Sequence, residues 1–319
     1  MNIKQKLYQM FILGTEGDGY KVALEQGLGG IIFFTKDIIN VEQFKNLVLK
    51  VKNKALIPPF LSIDQEGGRV ERTENIHGGK KYLSAKFTFE KGNEFLHQQT
   101  QTIAQELTYY GLNLNFAPCI DVNTNSQNPI IGERAFSSNV DDVIMAEKIV
   151  SHTYRKNGII PCVKHFPGHG DANADSHLTL PKINLPLTEM EKTHIKPFVS
   201  AVQNNIEMIM VAHLNCTCFE PGIPTSLSPK AIHYLRNEIG FNGVLISDDM
   251  IMKGVSDFGM FEACEMGIRA GLNMFIYRNS TPDIIEMIET MAQKALQDEE
   301  LHQQIEKSFN RIMYLKMRL

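Results

Sequence analysis

The sequence lacks the features of membrane proteins and of disulfide-bonded scaffolds. Its N-terminal segment contains an apolar run of only four residues, 10–13, which is too short for the core of a secretory signal. No later run reaches the roughly eighteen apolar residues that a transmembrane helix needs. The five cysteines are odd in number and without disulfide-framework spacing, and Cys216-x-Cys218 lacks the CxxC spacing of a zinc ribbon. We therefore expect a protein of the reducing cytoplasm with no membrane partner.

A surplus of positive charge is also missing. The chain carries 32 basic and 36 acidic residues, a formal net charge of −4, and both signs are mixed along its length. Its densest basic cluster, Lys80 and Lys81 in a glycine-rich stretch, is typical of a solvated loop. Nucleic acid is therefore not an expected partner, and we expect a monomer that acts on a small molecule.

Short, continuous apolar runs recur along the chain, and each ends on polar or small residues. Runs of this length without alternation are typical of parallel strands that are buried on both faces. The runs cover residues 9–13, 29–35, 59–64, 114–118, 161–165, 208–213, 243–249 and 274–277. Helical patterns lie between most of them, for example at 140–156, and at 188–203 with Thr188 as the N-cap.

Eight strands alternating with helices form either a closed barrel or an open, doubly wound sheet. Four polar residues, Asp64, His165, His213 and Asp248, fall at strand C-terminal ends, where a barrel carries its active site. With no repeat, low-complexity tract or linker, the chain is predicted to be an α/β protein. We expect a single catalytic (β/α)8 TIM-type barrel domain over residues 1–319, closed by a C-terminal helix.

A nicotinamide site is the weaker of two cofactor hypotheses. Gly17 and Gly19 follow a predicted strand, as in a dinucleotide-binding fingerprint. However, the third glycine position of that fingerprint is Val22, and the stretch also fits the first strand-to-helix turn of a barrel. We therefore expect no nicotinamide cofactor.

The stretch KHFPGHGDANADSH, residues 164–177, contains three of the ten histidines and two aspartates. His165, His169, Asp171, Asp175 and His177 could supply metal ligands. The intervening proline and glycine forbid the helix on which paired histidine ligands often lie. From the residue types alone, a metal site, a catalytic loop and a plain turn all stay open.

The carboxylates favour acid–base and nucleophilic chemistry. Asp248 and Asp249 end the seventh predicted strand, and alternation along the strand predicts that only one of them faces the pocket. A carboxylate at a barrel mouth can attack an anomeric carbon, or it can merely cap the helix that follows. Asp175 and His177 lie two residues apart, so that the carboxylate could orient the imidazole as a proton donor.

Further charged residues could hold a sugar. Arg72, Arg134 and Lys164 lie beside predicted strand ends or in the adjoining loops. Asp64 follows the third strand, where its carboxylate can accept hydrogen bonds from sugar hydroxyls. Together with Asp248 these side chains predict a polar pocket.

Four segments carry a resemblance to a known family. DQEGGRVER (64–72), IGERAF (131–136), KHFPGHGDANADSHLTLP (164–181) and SDDMIMKG (247–254) resemble glycoside hydrolase family 3, in particular its short β-N-acetylglucosaminidases. The resemblance runs from the second strand to about Gly271. Asn273 departs from it, because relatives commonly have aspartate there.

The resemblance implies a retaining N-acetylglucosaminidase that uses no metal or other cofactor. It implies that Asp248 is the nucleophile and that His177 with Asp175 is the general acid/base. Sugar binding by Asp64, Arg72, Arg134, Lys164 and His165 follows from the same resemblance, as does a role in the recycling of 1,6-anhydro-muropeptides.

Two other functions stay open. A histidine acid/base does not repel anions, so phosphate could replace water and make the enzyme a phosphorylase. Alternatively, the barrel could bind sugars without catalysis. The sequence assigns no role to Cys216 or Cys218.

Overall fold

A computed structural model describes residues 1–172 and 180–318 of the chain. The strands are β1 Phe11–Glu16, β2 Gly30–Phe33, β3 Phe60–Ile63, β4 Leu114–Asn115, β5 Ile160–Phe166, β6 Lys182–Ile183, β7 Met208–Val211, β8 Asn215–Cys216, β9 Val244–Asp249 and β10 Met274–Asn279. The α-helices are α1 Ile3–Tyr8, α2 Gly19–Glu25, α3 Val41–Lys54, α4 Ala85–Glu90, α5 Asn93–Tyr110, α6 Val140–Lys156, α7 Leu187–Lys192, α8 Lys196–Gln203, α9 Pro229–His233, α10 Lys253–Ser256, α11 Met260–Ala270, α12 Pro282–Ala295 and α13 Glu299–Lys316.

Eight of the strands close into a parallel barrel in the order β1-β10-β9-β7-β5-β4-β3-β2. Each of the eight apolar runs overlaps one barrel strand, so the prediction of an α/β, (β/α)8 TIM-type barrel is confirmed. The two short strands β6 and β8 pair with each other beside the barrel. Because all barrel strands are parallel, their carboxyl ends meet at one mouth, and the polar residues that follow them are gathered there.

Local sequence signals place several helix ends. The Asn139 side chain accepts hydrogen bonds from the backbone N–H groups of Asp141 and Asp142 at the start of α6. Helix α5 is capped at its C-terminal end by Gly111, whose φ of 84° lies in the left-handed region that favours glycine. These ends set the lengths of the helices that cover the barrel.

The single helix predicted over 188–203 is wrong. It is two helices, α7 and α8, because Pro197 has no N–H with which to continue the hydrogen-bond ladder. Thr188 is not the N-cap: α7 begins one residue earlier, and the Pro186 carbonyl accepts hydrogen bonds from the N–H groups of Glu189 and Met190.

The last helix, α13, closes the end of the barrel opposite the mouth. Its buried face, which includes Leu301, Ile305 and Ile312, packs against the barrel and against α1 and α11. At its end, Lys316 Nζ donates to the backbone carbonyls of Gly29 at 2.8 Å and Pro58 at 2.9 Å. A lysine side chain thus ties the helix to the entry points of β2 and β3.

Among the residues that the structure describes, none of the helices combines the length and the apolar character that crossing a bilayer requires.

Asn273 lies just before β10 and contacts a part-buried arginine. Its Oδ1 accepts hydrogen bonds from Arg236 Nη2 at 2.6 Å and from the Leu245 N–H at 2.9 Å, and its Nδ2 donates to Ser308 Oγ at 3.1 Å. Burial lowers the pKa of Arg236 to about 9. The Asn273 side chain therefore accepts a hydrogen bond from the Arg236 guanidinium but does not neutralise its positive charge.

We predict that Asn273→Asp stabilises the protein, because a carboxylate at this position would pair with the Arg236 charge. A charge-assisted hydrogen bond is about twice as strong as one to a neutral acceptor, so a gain of about 1 kcal/mol is expected. Urea unfolding followed by circular dichroism at pH 7 measures it. Asn273→Ala is the control and should be destabilising. A loss of stability in Asn273→Asp would mean that desolvation of the new carboxylate outweighs the pairing.

Candidate active site

A pocket of about 230 Å³ opens at the barrel mouth, where the C-terminal ends of the strands meet. Its lining combines charged and apolar side chains. The residues that line it are Ile32, Phe34, Asp64, Val70, Arg72, Ile130, Arg134, Lys164, His165, His169, Met210, Asp248, Asp249, Met252, Ile276 and Arg278.

The structure brings together six of the eight predicted site residues. Asp64, Arg72, Arg134, Lys164, His165 and Asp248 all line this pocket. The other two, Asp175 and His177, lie outside the described residues. The segment that contains them lies in the chain between the described residues Ala172 and Leu180.

Lys164 is the most deeply buried charge of the pocket. It lies on β5, its side chain is 2% exposed, and its Nζ lies 2.7 Å from Asp64 Oδ1 and 2.6 Å from Glu66 Oε1. Burial lowers the pKa of Lys164, but the two carboxylates outweigh it and raise this pKa above its usual range. The ammonium therefore stays charged, and its direction is fixed by two acids that follow β3.

Glu66 is a site residue that sequence reasoning missed. Its carboxylate also accepts hydrogen bonds from Arg134 Nε at 2.9 Å and from Arg134 Nη2 at 2.8 Å. Together they form a bidentate ion pair. Burial raises the pKa of Glu66, but Arg134 and Lys164 outweigh it and hold the pKa well below its usual range. The only local signal was its place in DQEGGR, two residues after Asp64.

Asp121, the second missed residue, holds His165 in place. Its Oδ2 lies 2.7 Å from His165 Nδ1, and its Oδ1 accepts the His169 N–H at 2.6 Å. On the other side of the ring, Arg134 Nη2 lies 3.3 Å from His165 Nε2. Because a guanidinium can only donate, this contact favours the tautomer of His165 whose proton is on Nδ1, facing Asp121.

Cys119, Asp121 and His165 are a candidate metal-ligand group, since their ligand atoms lie within 4.8 Å of one another. Each of them already has a partner: Cys119 Sγ donates to Asp121 Oδ2 at 3.2 Å, and His165 contacts the same carboxylate. Burial and the Asp121 charge raise the pKa of Cys119, which favours the thiol over the metal-binding thiolate. This chemistry fits a hydrogen-bonded cluster better than a metal site.

Close packing explains the glycines of the loop after β5. Gly168 has φ 119°, and a Cβ on Gly170 would lie 1.7 Å from the Val122 carbonyl oxygen. His169 between them is 3% exposed, and neither ring nitrogen has a hydrogen-bond partner among the described residues. Burial lowers the pKa of His169 to about 4, so its imidazole is neutral at pH 7.

Both acids of the Asp248–Asp249 pair line the pocket, and the expectation that only one of them faces it is wrong. The strand is irregular here: the register between β9 and β10 shifts between Met274 and Ile276, which interrupts simple alternation. Asp249 Oδ2 lies 2.6 Å from Arg278 Nε, whereas Asp248 Oδ1 accepts the Asp249 N–H at 2.7 Å.

The surroundings give the two acids different ionisation. Burial raises the pKa of Asp248, but His165 and His213 outweigh it, so the net shift is downward. Burial raises the pKa of Asp249, and its ion pair with Arg278 does not fully compensate. Asp248 is therefore the better-ionised of the two carboxylates that line the pocket.

Comparison with known proteins assigns the chain to a family. Residues 2–315 match the family model described as Glycosyl hydrolase family 3 N terminal domain. The beta-hexosaminidase A of Pseudoalteromonas piscicida is 32% identical over 92% of this chain, which spans only 54% of that protein. The beta-hexosaminidase of Pasteurella multocida strain Pm70 is 30% identical over 83% of the chain and 76% of its own length.

Two solved structures are similar to this chain. A glycoside hydrolase family 3 beta-N-acetylglucosaminidase from Paenibacillus sp. str. FPU-7 superposes with a TM-score of 0.92 at 28% identity, over all of this chain and 62% of its own. A beta-N-acetylhexosaminidase from Beutenbergia cavernae DSM 12333 has a TM-score of 0.91 over 99% of this chain and 98% of its own. At 21% identity, this second likeness shows the fold alone.

We predict that Glu66→Gln destabilises the protein by about 3–5 kcal/mol at pH 7, because it removes the carboxylate that pairs with the buried Lys164 and the part-buried Arg134. The pKa of Glu66 is lowered by folding, so its stabilisation is present above the unfolded-state pKa of about 4.3 and is lost as the pH falls below it. The deficit of the variant should therefore shrink from pH 7 to pH 3.5. Urea unfolding at both pH values measures it.

Glu189→Gln is the matched control, since its ion pair with Lys192 at 2.9 Å is solvent-exposed. It should change stability by less than about 0.5 kcal/mol at either pH. A deficit of Glu66→Gln that is the same at both pH values would show that shape, and not charge, makes Glu66 important.

Proposed function

The chain belongs to glycosyl hydrolase family 3, and on this premise we propose that it is a retaining exo-β-N-acetylglucosaminidase whose nucleophile is Asp248. One observation carries the proposal. An ionised carboxylate at the end of β9 shares a small pocket with Lys164, Arg72 and Asp64, which are the kinds of groups that hold sugar hydroxyls.

The contacts of Asp248 support its role as the nucleophile. Its lowered pKa keeps the carboxylate ionised at neutral pH, and the Asp249 N–H holds Oδ1. We propose that the other oxygen attacks the anomeric carbon and forms a covalent glycosyl-enzyme ester. Asp249 is held by Arg278 and by the N–H of Ile251 at 3.2 Å, which supports a structural role.

The sugar is proposed to bind against the charged side chains that line the pocket. Asp64 can accept hydrogen bonds from hydroxyls, and Lys164 has a third N–H in addition to those directed at Asp64 and Glu66. Arg72 Cζ lies 5.5 Å from the centre of the Phe34 ring, and Arg72 Nη2 lies 4.0 Å from Asp64 Oδ2. We propose that Arg134 and His165 line the sugar site in the orientation that Glu66 and Asp121 impose.

The proton donor is proposed to be His177, oriented by Asp175. In the first step His177 protonates the leaving oxygen as Asp248 attacks, and in the second it removes a proton from the water that hydrolyses the ester. The order of the chain supports this: the segment that contains the dyad follows shortly after His169, which lines the pocket.

The substrate is proposed to be a terminal N-acetylglucosamine, because the chain is similar to proteins named beta-N-acetylglucosaminidase and beta-hexosaminidase. The pocket has a volume of about 230 Å³, whereas sites for drug-sized ligands have volumes of about 300–1,000 Å³. This small volume supports recognition of one terminal sugar ring. We propose 1,6-anhydro-muropeptides as the natural substrate, handled in the cytoplasm by a single-domain monomer without a metal cofactor.

Asp248 should become covalently labelled by a 5-fluoro N-acetylglucosaminyl fluoride, because the ring fluorine slows both the formation and the hydrolysis of the ester, while the good fluoride leaving group keeps its formation fast enough for the ester to accumulate. Peptide mapping should find the sugar on the segment ISDDM, residues 246–250. Asp248→Ala should lower kcat on an aryl N-acetylglucosaminide by about 10⁴-fold or more. Asp249→Asn is the matched control with a milder loss. A label on Asp64, or near wild-type turnover of Asp248→Ala, would contradict the assignment.

His177→Ala should impair the enzyme only where the leaving group needs a proton. General acid catalysis contributes about 10²- to 10⁴-fold, so cleavage of an N-acetylglucosaminyl disaccharide should fall by that factor. Cleavage of a dinitrophenyl glycoside, whose leaving group departs as an anion, should fall much less in its first, glycosylation step. Asp175→Asn should show the same pattern more weakly. Steady-state and pre-steady-state rates on both substrates measure the difference, and equal losses in the first step would show that His177 binds the sugar instead.

A further inference from the structure

The short ribbon beside the barrel carries two cysteines in contact. Strand β8 ends at Cys216, and the Phe219 N–H donates to the Cys216 carbonyl at 3.1 Å, which closes a tight turn over residues 216–219. The turn brings Cys218 back toward Cys216, so that their Sγ atoms lie 3.4 Å apart. Both thiols are free.

The two thiols differ in access and in acidity. Cys216 is 1% exposed, whereas Cys218 is half-buried at the outer side of the turn. The hydrogen bond from the Cys216 thiol lowers the pKa of Cys218, and the same contact, with burial, raises the pKa of Cys216. Cys218 is therefore the accessible sulfur that more readily becomes a thiolate, the nucleophilic form.

The other cysteines lack such a partner sulfur. Cys119 contacts Asp121, Cys264 Sγ lies 3.1 Å from the Tyr277 hydroxyl, and Cys162 is buried in β5. For each of these three, burial raises the pKa of the thiol. This contrast makes the pair at 216 and 218 the reactive thiols of the chain.

We propose that Cys216 and Cys218 are a reversible redox pair that a small disulfide, such as oxidised glutathione, converts to an intramolecular disulfide. The Cys218 thiolate attacks one sulfur of glutathione disulfide, forms a mixed disulfide and expels one glutathione thiolate. Cys216 then loses its proton to solvent and attacks Cys218 Sγ, expelling the second. Two protein thiols are oxidised and one glutathione disulfide is reduced to two thiols.

The position of the pair links its redox state to the ribbon. The Thr217 N–H donates to the Ile183 carbonyl at 3.1 Å, and the Asn215 N–H donates to the Pro181 carbonyl at 2.8 Å. A disulfide that spans one residue closes a small ring and constrains this turn, and strained disulfides are the readily reduced ones. We infer that the bond forms and opens within the range of a glutathione buffer. This inference does not depend on the hydrolase activity.

The test equilibrates the protein in buffers of different ratios of reduced to oxidised glutathione, followed by acid quenching and peptide mass spectrometry. A loss of two hydrogens should appear in the peptide that contains both cysteines, and it should reverse on return to reduced glutathione. In the reduced protein, Cys218 should react with iodoacetamide at least about tenfold faster than Cys264. A dithiol that stays reduced at every ratio would overturn the proposal.

Matched variants separate the two roles. Cys216→Ser should stop at a stable glutathione adduct on Cys218, and Cys218→Ser should not react at Cys216 because that thiol is buried. Cys264→Ser, which removes a buried thiol outside the ribbon, should form the disulfide as the wild type does. Equal adduct formation on Cys216 in Cys218→Ser, or a disulfide that includes any other cysteine, would contradict the assignment.

Discussion

The candidate site depends on the ion pairs of one buried carboxylate, Glu66. The buried Lys164 ammonium and the part-buried Arg134 guanidinium both contact this carboxylate, and two neighbouring positive charges would repel each other in a medium of low polarity. Glu66 accepts hydrogen bonds from both and thereby lets them lie side by side. The arrangement of the sugar-facing groups follows from this contact, because Arg134 in turn fixes one side of the His165 ring.

A second carboxylate, Asp121, completes the framework from the other side. It contacts the His165 ring and the backbone of His169, and so joins the end of β5 to the loop that follows it. Glu66 and Asp121 carry no proposed chemistry of their own. They hold the orientation of side chains that do, which is how a site on rigid strands keeps its geometry before a substrate binds.

The two adjacent aspartates of β9 show how environment separates residues of one type. Asp249 is paired with Arg278, and burial raises its pKa, whereas interactions with His165, His213 and Lys164 lower the pKa of Asp248. The same principle distinguishes the two thiols of the ribbon, since the contact that lowers the pKa of Cys218 raises that of Cys216. In both pairs, partners and exposure assign different chemistry to identical side chains.

The sequence by itself determined the barrel, because strands that are buried on both faces consist of continuous apolar runs. It located the polar residues that follow those strands. It also marked Asp64, Lys164 and Asp248 as pocket residues, since parallel strands bring their carboxyl ends to one mouth. Only the tertiary structure decided which charges pair: Glu66 meets Lys164 and Arg134 across distant stretches of chain, and the register shift beside β9 turns both aspartates toward the pocket. Such contacts depend on packing in three dimensions, which no local pattern records.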